Sequence, residues 1–321
     1  MRPTGVVSYL FRTQSVGRVG IVGLLLAFAL AGGLAQLVDG TLGMGFGVTS
    51  ATVLLTIGIA PATASAATHA AKLPTTFVSG LTHWRVGNVD RKALVRIALP
   101  GMVGGFLGAV VLTNISLASA KAWMSGLLLF FGAVIFARFG LGMRLIPVPR
   151  NGNTARWLSP IGLLGGFVDA TGGGGWGPVV TPSLLTVTQH EPRKVVGTVN
   201  AAEFLIAVSV SMGFLTGTAQ ANIPWLPVLG LTTGGVLVAP FAARLAGRLP
   251  HAAMGTMVGG LIILVNLVTV VGALGGLPTW LDLLGVLAIL GGSGAVAGRA
   301  WRRERSGGLD AVVPAAVPAE A

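Results

Sequence analysis

Long apolar segments separated by short loops constrain the fold of this chain more than any other feature of its sequence. An α-helix needs about 20 apolar residues to cross a bilayer, and only helices and closed barrels can satisfy their backbone there. The segments cover residues 21–58, 62–82, 93–113, 119–140, 157–188, 194–215, 224–246, 252–273 and 278–298. We therefore predict an all-α polytopic membrane protein with about eight to nine membrane segments.

The composition excludes several other classes of protein. Hydrophobic residues make up 53% of the 321 residues and charged residues 9%, so no soluble catalytic domain fits beside the membrane segments. The chain has no cysteine, and its four histidines lack the spacing of a metal site, so we predict neither a metal centre nor a cofactor. The Lys and Arg residues behind the net charge of +12 fall mostly in short loops and at the chain ends, which indicates membrane orientation and argues against nucleic-acid binding.

Two stretches of the sequence match each other without a gap. "LVDGTLGMGFGVTSATVLL" at 37–55 aligns with "FVDATGGGGWGPVVTPSLL" at 167–185, which pairs Asp39 with Asp169 and Phe46 with Trp176. The match predicts two homologous repeats, each opening with a glycine-broken helix or re-entrant hairpin, as in secondary transporters. The predicted organisation is an N-terminal basic segment at 1–20, repeat 1 at 21–140, a basic linker at 141–156, repeat 2 at 157–300 and a disordered tail at 301–321.

The glycines of these stretches are expected to interrupt a membrane helix. Glycine costs a helix about 1 kcal/mol relative to alanine, so a run of four should end it near Asp169, and Pro178 should mark the restart. The restarted half-helix aims free N–H groups and a positive dipole end into the protein, which suits an anion. We expect Asp169 with Thr171, and Asp39 with Thr41, to cap these starts. The alternative role of the glycines is close helix packing.

The segment after each break carries polar residues on one helical face. In 61–81 these are Ser65, His69, Lys72, Thr76 and Ser79. The counterparts of His69 and Lys72 in the second copy are Asn200 and Glu203. A lysine in mid-membrane needs a partner, so we expect Lys72 and Glu203 to pair if the copies meet on a pseudo-two-fold axis. The alternatives are a purely structural ion pair or a lysine that reaches the membrane surface.

These observations define the candidate site. The expected substrate-binding residues are Thr41, Gly43, Gly45, Gly47, His69, Lys72, Thr76, Thr171, Gly173, Gly174, Gly175 and Asn200. The carboxyl groups expected to couple transport or to support the structure are those of Asp39, Asp169 and Glu203. Arg85 and Asn88 are further candidates for a gate, although their loop also fits a basic cytoplasmic loop.

Loop charge bears on topology. Basic loops at 83–96, 138–156, 190–194 and 244–251 fall on one face only if the segment 157–188 returns to its starting side. This makes the second repeat inverted relative to the first, although it leaves the basic N-terminus on the opposite face. A cleavable signal peptide is the alternative role of the N-terminal region.

With these motifs in hand, the chain resembles the TauE/SafE sulfite exporter family. The resemblance rests on the paired breaks "DGTLGMGFG" and "DATGGGGWGP", on "THAAKLPTTFVSGLTHWRVGNVD" and on "VVGTVNAAEF". It implies a multi-pass carrier of the inner cell membrane that exports or takes up sulfur-containing anions such as sulfite and sulfonates. Met44 and Phe46 depart from the glycine triplet that is common in this family.

We therefore predict a non-enzymatic secondary transporter of small anions, most simply an exporter of sulfite or an organosulfonate. The substrate is expected to bind at the two glycine-rich helix breaks near the membrane midplane. An anion channel, a proton-coupled importer of small carboxylates or sulfonates and a membrane scaffold are the alternatives. No nucleophile, base and acid are grouped as an intramembrane enzyme would require. The expected partners are the anion and the lipid bilayer, and a homo-oligomer is left open.

Overall fold

The computed structural model describes residues 18–143, 155–188, 190–216, 223–245, 251–273 and 279–305, and these ranges are helical except for short connections. In chain order the helices are α1 (Arg18–Leu42), α2 (Phe46–Thr56), α3 (Pro61–Arg85), α4 (Arg91–Asn114), α5 (Leu117–Gly140), α6 (Ala155–Gly172), α7 (Trp176–Val187), α8 (Pro192–Thr216), α9 (Trp225–Leu245), α10 (His251–Ala273) and α11 (Thr279–Arg305). The all-α prediction is confirmed for the described residues.

Five of these helices are long and apolar enough to cross a membrane by themselves, within the described part of the chain. The spans are Gly20–Leu42, Arg91–Asn114, Leu117–Gly140, Pro192–Thr216 and Trp225–Leu245. Large apolar side chains on the outside of the bundle, such as Leu30 and Leu215, are exposed and suit lipid contact. The prediction of a multi-pass membrane protein is thereby supported. Helix α3 also has the length of a span, but it carries the buried polar residues that the sequence placed on one helical face.

Helices from the two halves of the chain pack against each other in parallel pairs. Helix α1 runs parallel to α9, because Gly32 packs against Leu231 and Gly40 against Ala242. Helix α6 runs parallel to α4 in the same way. There Gly162 packs against Ile97, and Gly108 against Ala170. Each broken helix therefore packs on a helix of the other repeat.

Two further pairs of helices from the two halves stand at matching places in the predicted repeats. Helices α3 and α8 lie antiparallel at the centre, with Gly80 against Ala201. Helices α5 and α10 also lie antiparallel, with Gly132 against Ile262 and Gly140 against Thr256. Both pairs thus bring together segments from repeat 1 and repeat 2 as the sequence delimits them.

The two predicted breaks are present but shorter than expected. The second falls at residues 173–175, since α6 continues through Gly172 and α7 begins at Trp176. Gly173 ends α6 with a φ of +73°, a conformation that glycine adopts without steric cost, and its counterpart Gly43 ends α1 with a φ of +70°. Expecting the helix to stop near Asp169 and restart near Pro178 was wrong, because one left-handed glycine is enough to end a helix. Pro178 instead takes the third position of α7, where no intrahelical N–H is lost.

The first residue of each restarted helix anchors a separate apolar core. Phe46 is buried among Val38, Ala71 and Leu231, and Trp176 is buried among Ile97, Val199 and Ile206. The Trp176 indole N–H donates to the carbonyl of Val199 over 3.1 Å. These anchors fix where α2 and α7 begin, and so fix the two breaks.

Some predictions about the chain ends and the linker fall outside the described residues. This applies to most of the N-terminal basic segment, to linker residues 144–154 and to residues 306–321 of the tail. Residues 301–305 were predicted to be disordered, but α11 continues through Arg305.

Candidate substrate and coupling site

The carboxylate of Asp169 is the centre of a buried polar cluster beside the second break. The Lys72 ammonium donates to both of its oxygens, with Nζ 2.9 Å from Oδ1 and 3.2 Å from Oδ2. His69 Nε2 lies 3.0 Å from Oδ2, and the Trp176 backbone N–H donates to Oδ1 over 3.0 Å. All these side chains are fully buried. One small anionic group is thus surrounded by two side-chain donors and a helix N-terminus.

The imidazole of His69 is held between two oxygens. Its Nδ1 lies 2.8 Å from the carbonyl oxygen of Ser65, opposite the contact of Nε2 with Asp169. A neutral imidazole carries only one N–H, whereas an imidazolium donates from both nitrogens. The Ser65 hydroxyl is itself engaged, since it donates to the carbonyl of Ala170 over 2.6 Å. Both ring nitrogens therefore face oxygen atoms, and the ring is held in a fixed orientation beside Asp169.

Glu203 completes the cluster from the other repeat. Its Oε1 lies 2.8 Å from Lys72 Nζ, so the expected pairing of these counterparts is present in the structure. Both residues stand near the middle of 25-residue helices, α3 and α8. The additional bond from Lys72 to Asp169 was not anticipated. A single ammonium group thus bridges carboxylates from α6 and α8.

Asp39 occupies the place beside the first break that Asp169 has beside the second. Its Oδ1 accepts the Phe46 backbone N–H over 3.3 Å, as Asp169 accepts that of Trp176. The other oxygen, Oδ2, has no hydrogen-bond partner among the described residues, and the same holds for Glu203 Oε2. Asp39, Asp169 and Glu203 together place three carboxyl groups in this buried cluster. We call the surroundings of Asp39 the first half of the site and those of Asp169 the second half. The first half is therefore poor in hydrogen-bond donors, and the second half is rich in them.

The two breaks touch each other directly. A methyl group added to Gly174 would come 2.1 Å from the backbone nitrogen of Val48, and one added to Gly47 would come 2.7 Å from Lys72 Nζ. Thr181 donates its hydroxyl to the carbonyl of Gly43 over 2.5 Å. The glycines therefore bring both helix starts to the same lysine, and close packing accounts for part of their presence.

The three predicted threonines do not point their hydroxyl hydrogens into the cluster. Thr41, Thr76 and Thr171 donate to backbone carbonyls of their own helices, at Leu37, Lys72 and Phe167. The expectation that Thr41 and Thr171 cap the restarted helices was wrong, because both stand inside the preceding helix, where a hydroxyl bonds the carbonyl one turn earlier. The aspartates alone provide the caps.

Asn200 joins the repeats at the edge of the cluster. Its Oδ1 accepts the Ser79 hydroxyl over 2.8 Å, and its Nδ2 donates to the carbonyl of Asp39 over 3.4 Å. It therefore stands beside the donor-poor half of the site, as His69 stands beside the other. Gly45 and Gly175 directly precede α2 and α7 and are buried with them.

The candidate gate residues lie at the C-terminal end of α3 and in the connection after it, whereas the cluster lies near the middle of that helix. Asn88 is buried with its Nδ2 3.4 Å from His83 Nδ1, and His83 Nε2 faces the carbonyl oxygen of Gly40 at 3.2 Å. Arg85 is exposed at the end of α3. Sequence reasoning missed the contact that joins the neighbouring loops, a 2.9 Å pair between Asp90 Oδ2 and His190 Nε2. No motif could have indicated it, because the two residues are brought together only by the fold.

A helical bundle with exposed apolar flanks and a buried ionic cluster at paired helix breaks defines a membrane transporter. Comparison with known proteins agrees. Residues 28–269 match the family model described as "Sulfite exporter TauE/SafE". The chain belongs to the sulfite exporter TauE/SafE family.

A curated relative supports the same class. The "Probable membrane transporter protein YtnM" of Bacillus subtilis (strain 168) is 45% identical over 253 residues, which cover 77% of this chain and 83% of the relative. A search of solved structures gave no significant match.

Proposed function

We propose that this chain is a secondary transporter that exports a small oxyanion, sulfite or an organosulfonate, through the site where the two helix breaks meet. The observation that carries the proposal is the set of donors around the Asp169 carboxylate. The Lys72 ammonium, the His69 ring and the Trp176 N–H converge on one buried anionic group. A sulfite or sulfonate group presents oxygens of the same kind and would be bound by the same donors.

Exchange between Asp169 and the substrate is the simplest way to use these donors. Lys72, His69 and the start of α7 are already engaged with Asp169. An entering anion must therefore replace the aspartate. Such an internal competitor would keep the site neutralised between turnovers, because a buried unpaired lysine is costly.

The packing directions support a proposal that the two repeats are inverted. Helix α4 starts at the face carrying the connection 86–90, and α6 starts there too because it runs parallel to α4. The pair between Asp90 and His190 brings the end of α7 back to this face. Helix α1 runs parallel to α9 and so starts at the other face. We infer that α6–α7 and α1–α2 are re-entrant hairpins that open at opposite faces.

Basic side chains suggest which face is cytoplasmic. Arg85, Arg91, Arg138, Arg193 and Arg244 stand at helix ends that fall on the face of connection 86–90 when the helices are followed in order. By the positive-inside rule this face is cytoplasmic. If each hairpin is counted as one segment, this proposal gives nine membrane segments among the described helices, in line with the eight to nine predicted from the sequence.

Single-cysteine labelling tests this topology, since the natural chain has no cysteine. We expect Ala60→Cys to react with a membrane-impermeant thiol reagent from outside the cell. Val86→Cys and Glu191→Cys should react only after the membrane is opened. Labelling of Val86→Cys and Glu191→Cys from opposite sides would contradict the hairpin.

Counterflow in proteoliposomes tests the function. Liposomes loaded with unlabelled anion should take up the labelled anion for sulfite, methanesulfonate or sulfoacetate, and not for taurine or a cation. The exchange should saturate, which a channel does not predict. Lys72→Met should abolish it, and Arg156→Gln, which alters an exposed residue far from the site, serves as the charge control. Counterflow of a cation alone, or normal counterflow by Lys72→Met, would overturn the proposal.

A second candidate is import of small carboxylates or sulfonates together with protons. It is favoured by one observation, the excess of buried carboxylates over buried cations in the described cluster. The same counterflow panel, extended with acetate, distinguishes a carboxylate cargo from a sulfur anion, whereas import and export of the same sulfonate give the same counterflow.

A further inference from the structure

We propose that Asp39 and Glu203 form a proton-binding site that takes up one proton when the anion binds. The inference rests on the proposed anion transport and adds the coupling ion, its residues and its stoichiometry. It starts from the comparison of the two halves of the cluster.

The two aspartates sit in equivalent surroundings except for charge. Asp169 receives the Lys72 ammonium and the His69 ring. At the matching positions around Asp39, the second repeat supplies Glu203 and Asn200. In the first half, therefore, the carboxyl group of Asp39 is matched with that of Glu203. In the second half, the carboxylate of Asp169 is matched with the ammonium group of Lys72.

The unpartnered oxygens lie in this same half of the cluster. Asp39 Oδ2 and Glu203 Oε2 are buried and have no hydrogen-bond partner among the described residues. Their sister oxygens are engaged, Asp39 Oδ1 by the Phe46 N–H and Glu203 Oε1 by Lys72. A proton on either free oxygen removes one of the negative charges in this half and supplies an O–H donor where the half otherwise lacks one.

The balance of buried charges in the cluster also favours the addition of one proton. The charged and titratable side chains facing this pair are Asp169 on α6 with His69 and Lys72 on α3, while α2 and α7 carry no charged residue. Three carboxylates thus face one ammonium and one imidazole. Even with the imidazole charged, one negative charge remains uncompensated at membrane depth, and the bound substrate adds another.

Coupling follows from this electrostatics. An anion bound beside Lys72 makes protonation of the Asp39 and Glu203 pair more favourable, and by linkage the proton makes anion binding more favourable by the same factor. The O–H bond forms with a proton from the side where the anion enters, and it breaks on the side where the anion leaves. The proton and the anion therefore cross together, so transport of a monovalent anion is electroneutral and its direction follows the combined anion and pH gradients, with export when the outward anion gradient is the steeper.

The test uses the full chain in proteoliposomes with methanesulfonate, a strong acid that stays ionised near neutrality. With the membrane potential clamped at zero, a pH gradient with an alkaline interior should drive accumulation of the anion. Entry of the anion should in turn dissipate this pH gradient. A sodium gradient should drive none. Accumulation driven by sodium, or counterflow that ignores the pH gradient, would overturn the proton site but leave the proposed function intact. Absence of any sulfur-anion counterflow would overturn both.

Asp39→Asn isolates the proposed residue. The variant keeps the oxygen that accepts the Phe46 N–H and replaces the free oxygen by an amide donor, which imitates the protonated state. We expect measurable counterflow with loss of the response to the pH gradient. Glu191→Gln, which removes an acid outside the cluster, should respond as the natural protein does. An unchanged response of Asp39→Asn would contradict the assignment.

A second measurement does not depend on any variant. Adding methanesulfonate to the purified protein in weak buffer should raise the pH of the solution by uptake of about one proton for each anion bound. Binding of the anion without proton uptake would overturn the inference.

Discussion

The two helix breaks share a backbone design and differ in charge. In each, a left-handed glycine ends the first helix, an aspartate one turn earlier accepts the first N–H of the next helix, and an aromatic residue anchors the restart. Asp169 is then saturated by Lys72 and His69, whereas one oxygen of Asp39 is left without a partner among the described residues.

This difference separates the features that the two breaks share from those in which they differ. Both copies end the first helix at a glycine with a φ near +70°, whereas the residue before the restart differs, since Gly45 has a φ of +140° and Gly175 a φ of −93°. The side chains on α3 and α8 face into the cluster and determine its charge. A site with one donor-rich and one acceptor-rich half can bind an anion and a proton side by side, which two identical halves could not.

The largest expected effect comes from moving the charge between the halves. Lys72→Glu places a further carboxylate in the cluster and leaves the others without their ammonium, and breaking a buried ion pair alone costs about 3–5 kcal/mol. We expect little folded protein by size-exclusion chromatography in detergent. The double variant Lys72→Glu with Glu203→Lys restores one ammonium among the carboxylates and should recover a folded protein. A double variant no more stable than the single one would show that the halves are not equivalent.

The next effect tests the shared backbone of the breaks. Gly174→Ala would push a methyl group into the backbone at Gly47 and Val48, with contacts of 2.2 and 2.1 Å, so we expect a loss of about 3 kcal/mol or more. Gly172→Ala is the matched control, because its tightest neighbour is the side chain of Leu127 at 3.3 Å and the position is helical. Thermal unfolding in detergent should separate the two variants, and equal melting temperatures would argue against the close contact.

A smaller effect is expected from making the halves more alike. His69→Asn gives the second half the residue that Asn200 provides in the first, and it removes the ring nitrogen that contacts Asp169. Hydrogen bonds to charged groups contribute about 1.5–3 kcal/mol, so the KM for the anion should rise about ten-fold. Counterflow kinetics measure this change. His69→Gln tests whether a longer amide serves as a donor, and a KM unchanged in both would exclude the ring from anion binding.

The smallest effect concerns a contact present in one copy only. Thr181 donates to the carbonyl of Gly43, and its counterpart in the first copy is Ala51. Thr181→Ala should lower the free energy of unfolding by about 1 kcal/mol, the worth of one hydrogen bond. The exposed Thr233, which bonds only within its own helix, provides the control substitution Thr233→Ala. A loss as large as that for Gly174→Ala would indicate that this hydroxyl does more than tie the breaks together.

The sequence predicted the broken helices and the pairing of Lys72 with Glu203, because both depend on residue type at matched positions in a duplicated chain. It misplaced the ends of the breaks, since a single positive φ at Gly173 decides where α6 ends and no local pattern specifies it. It also assigned the threonine hydroxyls to caps, although the longer helices hold them one turn short of the restart.

The contacts between helices could not be predicted in the same way. The second bond of Lys72, to Asp169, and the pair between Asp90 and His190 depend on how distant helices are packed. The sequence did identify Asp39, Asp169 and Glu203 as candidate coupling or structural carboxyl groups, but the excess of carboxylates around Lys72 became evident only when the fold brought them together.

Equilibrium binding to Asp169→Asn and Asp39→Asn tests most directly whether Asp169 occupies the anion site. Both variants remove one negative charge and keep the oxygen that accepts a helix N–H, so general electrostatics affects them alike. If the substrate displaces Asp169 from Lys72 and His69, calorimetry with sulfite and methanesulfonate should show at least ten-fold tighter binding to Asp169→Asn, and a clearly smaller gain for Asp39→Asn. Weaker binding to Asp169→Asn, or equal gains in both variants, would contradict the account.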